Sequence, residues 1–148
     1  MNYYYLDPDS TKFGVCQYDS NENFLRVFSW SLFAVIDCLN YRNGVYYLEN
    51  IIDLKSNFHG AKNERVAFKI GECVGRCKQN AILLNEYCTH SNIKLNLIRP
   101  LNKHGHKINH NEIITALKQR KIHYSFTRTN QDERDAIELF LHHYFVGG

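Results

Sequence analysis

Three β-prone runs open the chain back to back with only turn sequence between them, and this stretch constrains the fold more than any other. Tyr3-Tyr4-Tyr5-Leu6 stops at Asp7-Pro8-Asp9-Ser10. Phe13-Gly14-Val15-Cys16-Gln17-Tyr18 stops at Asp19-Ser20-Asn21-Glu22-Asn23, and the run from Phe24 to Trp30 follows at once. Aromatic and β-branched side chains suit a pleated surface, while Asp, Asn, Pro and Ser form turns through their own side chains or a fixed φ. Connections this short join antiparallel neighbours, so residues 3–30 predict an antiparallel meander.

After Trp30 the pattern becomes strand–helix alternation. Ser31 is placed to cap a short helix running to about Leu39, which Asn43-Gly44 ends. Val45-Tyr46-Tyr47-Leu48 predicts a fourth strand that stops at Glu49-Asn50, and residues 53–63 predict a polar loop. A long helix follows from Asn63 to Cys88. In it Ala67, Ile70, Val74, Cys77, Ala81, Leu84 and Cys88 recur at alternating spacings of three and four, an apolar stripe of helical period. Gly71 and Gly75 would let another backbone approach that helix. Ile93 to Ile98 predicts a fifth strand, closed by Arg99-Pro100, and residues 101–110 a loop. Asn109-x-x-Glu112 has the form of a capping box for a helix to Gln119. Tyr124 to Thr127 predicts a short extended piece, and Thr129 or Asn130 caps a last helix from Gln131 to about Tyr144. The order predicts one α/β domain over residues 1–148: a mixed five-stranded sheet with helices on both faces.

Composition agrees and narrows the partners. At 148 residues, 44% hydrophobic and 22% charged, the chain can bury a core and is not of the disordered class. The net charge of +3 conceals an uneven distribution. Between Lys94 and Arg128, Lys or Arg stands at 94, 99, 103, 107, 118, 120, 121 and 128 against one acid, Glu112. A positive region of this kind suits a phosphate backbone. The five cysteines follow no framework spacing. Met1 to Tyr5 lacks the basic start of a secretory signal, and no apolar run approaches the ~20 residues of a membrane span. The expectation is a cytoplasmic protein with free thiols and no membrane partner.

Four acids carry the candidate chemistry. Asp7 ends the first strand, Glu49 ends the fourth, and Asp132 and Asp135 lie three apart on the last helix, hence on one face. In α/β sheets, sites gather outside the carboxyl ends of strands. Hard carboxylate oxygens suit Mg²⁺ or Mn²⁺, and two such ions about 3.5–4 Å apart serve phosphodiester cleavage. Each acid also has an ordinary explanation. Asp-Pro-Asp-Ser is a common turn, and acids in a helix's first turn complement its dipole. Joint placement on three elements favours the metal reading. Cys73, Cys77, Cys88 and His90 share the long helix, but their spacing matches no compact zinc knuckle, and two of them fall in the apolar stripe.

The flanking residues carry a resemblance. Tyr5-Leu6-Asp7-Pro8-Asp9-Ser10-Thr11-Lys12-Phe13-Gly14, Tyr47-Leu48-Glu49-Asn50, Ala67-Phe68-Lys69-Ile70-Gly71-Glu72-Cys73-Val74-Gly75 and Asp132-Glu133-Arg134-Asp135-Ala136 together resemble RuvC-type Holliday junction resolvases, of the ribonuclease H-like nuclease superfamily. The resemblance covers nearly the whole length. It implies that Asp7, Glu49, Asp132 and Asp135 are both metal ligands and catalytic residues, with Mg²⁺ (or Mn²⁺) as cofactor, two ions per site. It implies a homodimer acting on branched DNA, and a two-fold dimer suits a junction cut at two symmetric places.

One departure is Asp9, where the family usually has glycine. It is either a turn residue or a fifth acid. Lys103-His104-Gly105-His106-Lys107 stands where the family tends to place lysines around glycines, making Lys107 and then Lys103 the candidate phosphate contacts. Lys62 and Arg65, flanking the start of the long helix, are further candidates. Phe58, in the loop after Glu49, is a candidate to stack on a base at the branch point. Two competing functions remain: a nuclease of RNA–DNA hybrids or replication intermediates, and a branched-DNA-binding protein without cleavage. Glu49 at a strand end speaks against the first, since hybrid-cutting relatives tend to carry that acid on a helix. The small size would suit a phage or mobile-element enzyme.

Overall fold

A computed structural model describes residues 1–54, 63–101 and 105–147. Its strands are β1 (Asn2–Pro8), β2 (Phe13–Asp19), β3 (Phe24–Trp30), β4 (Val45–Glu49), β5 (Asn96–Ile98) and β6 (His123–Tyr124). Its helices are α1 (Leu32–Tyr41), α2 (Glu64–His90), α3 (His110–Gln119) and α4 (Gln131–Val146). The strands form one sheet in the order β5-β4-β1-β2-β3-β6. As expected, β1, β2 and β3 are an antiparallel meander, while β4 joins β1 in parallel.

Side-chain alternation divides the interior into two cores, one on each face of the sheet. Tyr4, Leu6, Phe13, Val15, Tyr46 and Leu48 pack against Val35, Cys38 and Leu39 of α1 and Ala81, Leu84 and Cys88 of α2. Tyr5, Cys16, Tyr18 and Leu25 pack on the other face against Ile113 and Leu117 of α3 and Ile137, Leu139 and Phe140 of α4. Full burial of a side chain such as Ile137 or Phe140 stabilises the fold by roughly 1.5–3 kcal/mol.

Helix starts follow the sequence closely, because each has a side-chain cap. Ser31 Oγ accepts from the Ala34 N–H at 3.2 Å, and Asn63 Oδ1 accepts from Val66 at 3.0 Å. Asn109 with Glu112, and Asn130 with Glu133, form complete capping boxes.

The sheet has six strands where five were expected. The sixth is held by a side-chain staple that sequence periodicity does not reveal. Asn23 and Lys121 both adopt positive φ (51° and 57°). The Asn23 amide donates to the Lys121 carbonyl at 2.8 Å, and the His123 N–H donates to the Asn23 carbonyl at 3.0 Å. That staple lays His123 and Tyr124 beside Phe24 and Leu25. The fifth strand is shorter than expected. Ile93 is drawn back to close α2, donating its N–H to the Cys88 carbonyl at 2.8 Å after Asn92 turns at φ 57°.

Candidate functional site

β1 and β4 carry the same four-residue pattern at or next to their ends, Tyr4-Tyr5-Leu6-Asp7 and Tyr46-Tyr47-Leu48-Glu49. Their parallel register pairs Tyr4 with Tyr46, Tyr5 with Tyr47 and Leu6 with Leu48. Stacked rings fix that register on both faces, Tyr4 on Tyr46 at 4.5 Å and Tyr5 on Tyr47 at 4.8 Å. The next residues along are Asp7 and Glu49, on adjacent strands about 4.8 Å apart. Both follow the tyrosine two positions earlier onto the α4 face, since Tyr5 and Tyr47 pack there. A one-residue slip would send Glu49 to the opposite face.

Helix α4 delivers the other two acids. Antiparallel pairing sets Gly14 opposite Asp7. A Cβ at Gly14 would overlap the backbone carbonyl of Asp132, so the start of α4 rests directly on β2 beside Asp7. Only glycine permits that approach. Asp7 is 9% exposed, while Glu49, Asp132 and Asp135 are half-buried. The Asp132 carboxyl is raised from 3.8 to about 6, first by partial burial and then by the nearby negative charges of Asp9, Asp135 and Glu133. Among the described residues, no three His, Cys, Asp or Glu side chains converge as a formed metal-binding group.

Asp9 is both a turn residue and a fifth acid at this edge. Its N–H donates to the Lys12 carbonyl at 2.9 Å, closing the β1–β2 turn. Its carboxyl lies within hydrogen-bonding reach of Asp132. Helix α2 holds the same turn from below. The Asn80 amide donates to the carbonyls of Asp9 (2.7 Å) and Ser10 (3.2 Å), and the Cys77 thiol points to Asp9 Oδ1 at 3.8 Å.

Arg134, between the two helical acids, is the residue sequence reading missed. Its Nε donates to the Ile108 carbonyl at 3.0 Å, Nη1 to the Thr129 carbonyl at 2.6 Å, and Nη2 to Gln131 Oε1 at 3.1 Å. Gln131 in turn donates to Asp135 Oδ1 at 2.8 Å. One guanidinium therefore ties the segment carrying Lys107 to the helix carrying Asp132 and Asp135. Its position inside an Asp-x-x-Asp element was the available signal. Lys107 is exposed one residue from that tie, and Arg65 is exposed in the first turn of α2. Phe58, Lys62 and Lys103 lie outside the described residues.

Cys73 and Cys77 neighbour each other one turn apart on α2, but among the described residues no third ligand joins them. Cys88 is buried in the core and Cys73 is exposed. His106 pairs with Glu112 at 3.0 Å and His110 with Thr129 Oγ1 at 2.9 Å, so both are engaged in local structure. No described helix is long and apolar enough to cross a membrane.

Two solved structures share this architecture. RuvC of Thermus thermophilus in complex with a Holliday junction substrate superposes with a TM-score of 0.50 at 14% identity, over 99% of this chain and 94% of that one. A second Thermus thermophilus RuvC structure gives 0.50 at 15% identity, over 99% and 95%. The fold is that of RuvC. It is a ribonuclease H-like α/β fold, and the likeness runs the length of both chains. No protein-family model and no curated protein matches the sequence.

Proposed function

We propose that this chain is a divalent-metal-dependent endonuclease of structured DNA that resolves four-way junctions by paired nicks. The observation that carries the reading is the parallel register of β1 and β4, which sets Asp7 and Glu49 on adjacent strands, with the start of α4 resting on Gly14 opposite Asp7. The fold likeness to RuvC, one structure of which holds a Holliday junction substrate, supports the same substrate class.

The donor set fits Mg²⁺ or Mn²⁺. Asp7, Glu49, Asp132 and Asp135 offer hard oxygens only. The Asp132 carboxyl is raised by burial and then by the charges of Asp9, Asp135 and Glu133, and a divalent cation would offset that cost. When bound, a pair of ions supplies an activated water and charge stabilisation for the leaving 3′-oxygen. The protein's own contribution is placement. The β1–β4 register fixes Asp7 and Glu49, Gly14 fixes the approach of Asp132, and Gln131 orients Asp135. Exposed Lys107, with Lys103, contacts phosphates, and Phe58, Lys62 and Arg65 are further DNA contacts.

The working unit is a homodimer through the first half of α2. Ala67, Phe68 and Gly71 line a groove there, Phe68 is 73% exposed, and Gly75 has open space where a Cβ would stand. That face presents small and apolar residues between Glu64 and Glu72, and among the described residues Phe68 stands out from it.

The test is incubation with a mobile four-way junction, an RNA–DNA hybrid and a linear duplex, in Mg²⁺ or in EDTA. Paired symmetric nicks in the junction alone, lost in Asp7→Asn and Glu49→Gln, are expected. Cleavage confined to the hybrid would replace the substrate. Tight junction binding with no cleavage in Mg²⁺ or Mn²⁺ would leave only a binding protein.

A further inference from the structure

The α4 stripe that begins with Asp132 and Asp135 continues through Leu139 and His142 at helical spacing. His142 lies two turns beyond Asp135, roughly 10 Å along the axis. There the helix forms one wall of a cavity of about 180 Å³, and Ile98, Arg99, Pro100 and Leu101 form the other. That volume is well below the roughly 300–1,000 Å³ typical of ligand pockets. It suits a single small group.

Among the described residues the lining contains three nitrogen-bearing side chains, Arg99, His142 and His143, and no carboxylate. Arg99 makes no hydrogen bond or ion pair with another described residue, so its charge is available. His143 Nδ1 is engaged with the Tyr5 hydroxyl at 3.0 Å, so Nε2 is the ring nitrogen left for another partner. Burial and the neighbouring His142 also lower His143, leaving it neutral near pH 7. A packing defect at the rim of a core would need none of this. Ile98, Leu101 and Leu139 alone would line it.

We propose that this cavity is an anion subsite for one backbone phosphate of the bound nucleic acid, with Arg99 supplying the charge and the His142 and His143 rings supplying hydrogen bonds. The inference rests on the nuclease reading for the identity of its ligand. The offset from the acids corresponds to about three nucleotides along one strand at about 3.4 Å per phosphate. The subsite would fix which bond of a junction arm lies over the carboxylates.

Two measurements separate this proposal from the function it rests on. The first is four-way junction binding in EDTA at several salt concentrations, for the wild type, Arg99→Gln, Arg99→Lys and His142→Ala. Arg99→Gln is expected to weaken binding and to reduce the slope of log K against log salt by about 1, with Arg99→Lys retaining the slope. The second is ¹⁵N NMR of the histidine rings during titration with inorganic phosphate at pH 7.5. His142 and His143 are expected to shift in the wild type and not in Arg99→Gln, while His123 stays fixed. An unchanged salt slope in Arg99→Gln, or rings indifferent to phosphate, overturns the subsite even if the protein binds and cuts junctions. Rings that respond to phosphate in a protein that binds no nucleic acid would support the anion pocket and overturn the nuclease reading.

Discussion

Asp132→Asn should make the metal-free protein more stable, although it removes a residue placed in the cleavage machinery. The carboxyl of Asp132 is raised from 3.8 to about 6 by burial and by the charges of Asp9, Asp135 and Glu133. An acid that holds its proton more tightly in the folded state costs nothing below pH 4, where both states are protonated. The cost grows as pH rises from about 4 to 6, where only the unfolded chain ionises, and is complete above that. At about 1.4 kcal/mol per tenfold change in proton affinity the ceiling is about 3 kcal/mol. Asp132 is half-buried, and solvent screening reduces the realistic value to about 1 kcal/mol. For a domain of this size that corresponds to a rise in Tm of about 2–4 °C. The assay is thermal unfolding of wild type and Asp132→Asn in EDTA at pH 7.5 and at pH 4. The variant should melt higher at pH 7.5 and equally at pH 4. Adding Mg²⁺ should stabilise the wild type more than the variant, closing or reversing the gap. A variant that melts lower than wild type at pH 7.5 in EDTA would refute the claim that these acids repel one another.

Other substitutions probe the same edge. Asp9→Asn should remove part of the repulsion on Asp132, so the double variant with Asp132→Asn should gain less in Tm than the two single gains together; strict additivity would deny their contact. Gly14→Ala drives a Cβ into the Asp132 backbone and should cost about 1–3 kcal/mol in urea unfolding as α4 is pushed from β2. A change within about 0.5 kcal/mol, the range of a neutral surface substitution, would mean the helix does not rest there. Arg134→Ala strips donors from the Ile108 and Thr129 carbonyls and should cost about 1–3 kcal/mol. Because it also frees the Lys107 segment, it should raise the Kd for a junction; an unchanged Kd would confine Arg134 to a structural role.

Much of this was readable from the chain because the determinants are local. Caps at Ser31, Asn63, Asn109 and Asn130 start their helices within a residue of where the sequence placed them, since each satisfies backbone donors a few positions away. The strand-end positions of Asp7 and Glu49 were equally visible. What escaped notice was mediated by partners distant in sequence. The β6 strand depends on Asn23 meeting Lys121, and the Arg134 clamp depends on Ile108 and Thr129 arriving beside α4. The relation between β1 and β4 lay between these extremes. The repeated Tyr-Tyr-Leu-acid pattern is plain in the sequence, but its meaning appears only once the strands are known to be parallel neighbours.

That repeat also shows how a fold like that of RuvC can be specified at 14–15% identity with no family model matching. Bringing the acids together requires few specific residues. It needs a register between β1 and β4, a point of close approach for α4, and helices started at fixed places. Here stacked tyrosines supply the register, Gly14 the approach, and asparagine caps the starts of α2, α3 and α4. Any cross-strand pair that resists a one-residue slip would serve as well as Tyr5 on Tyr47, because slipping inverts the face of every side chain on the strand. Most other positions need only be apolar and of suitable volume. Most of the chain is therefore free to vary in sequence while the ends of β1 and β4 and the start of α4 keep their places.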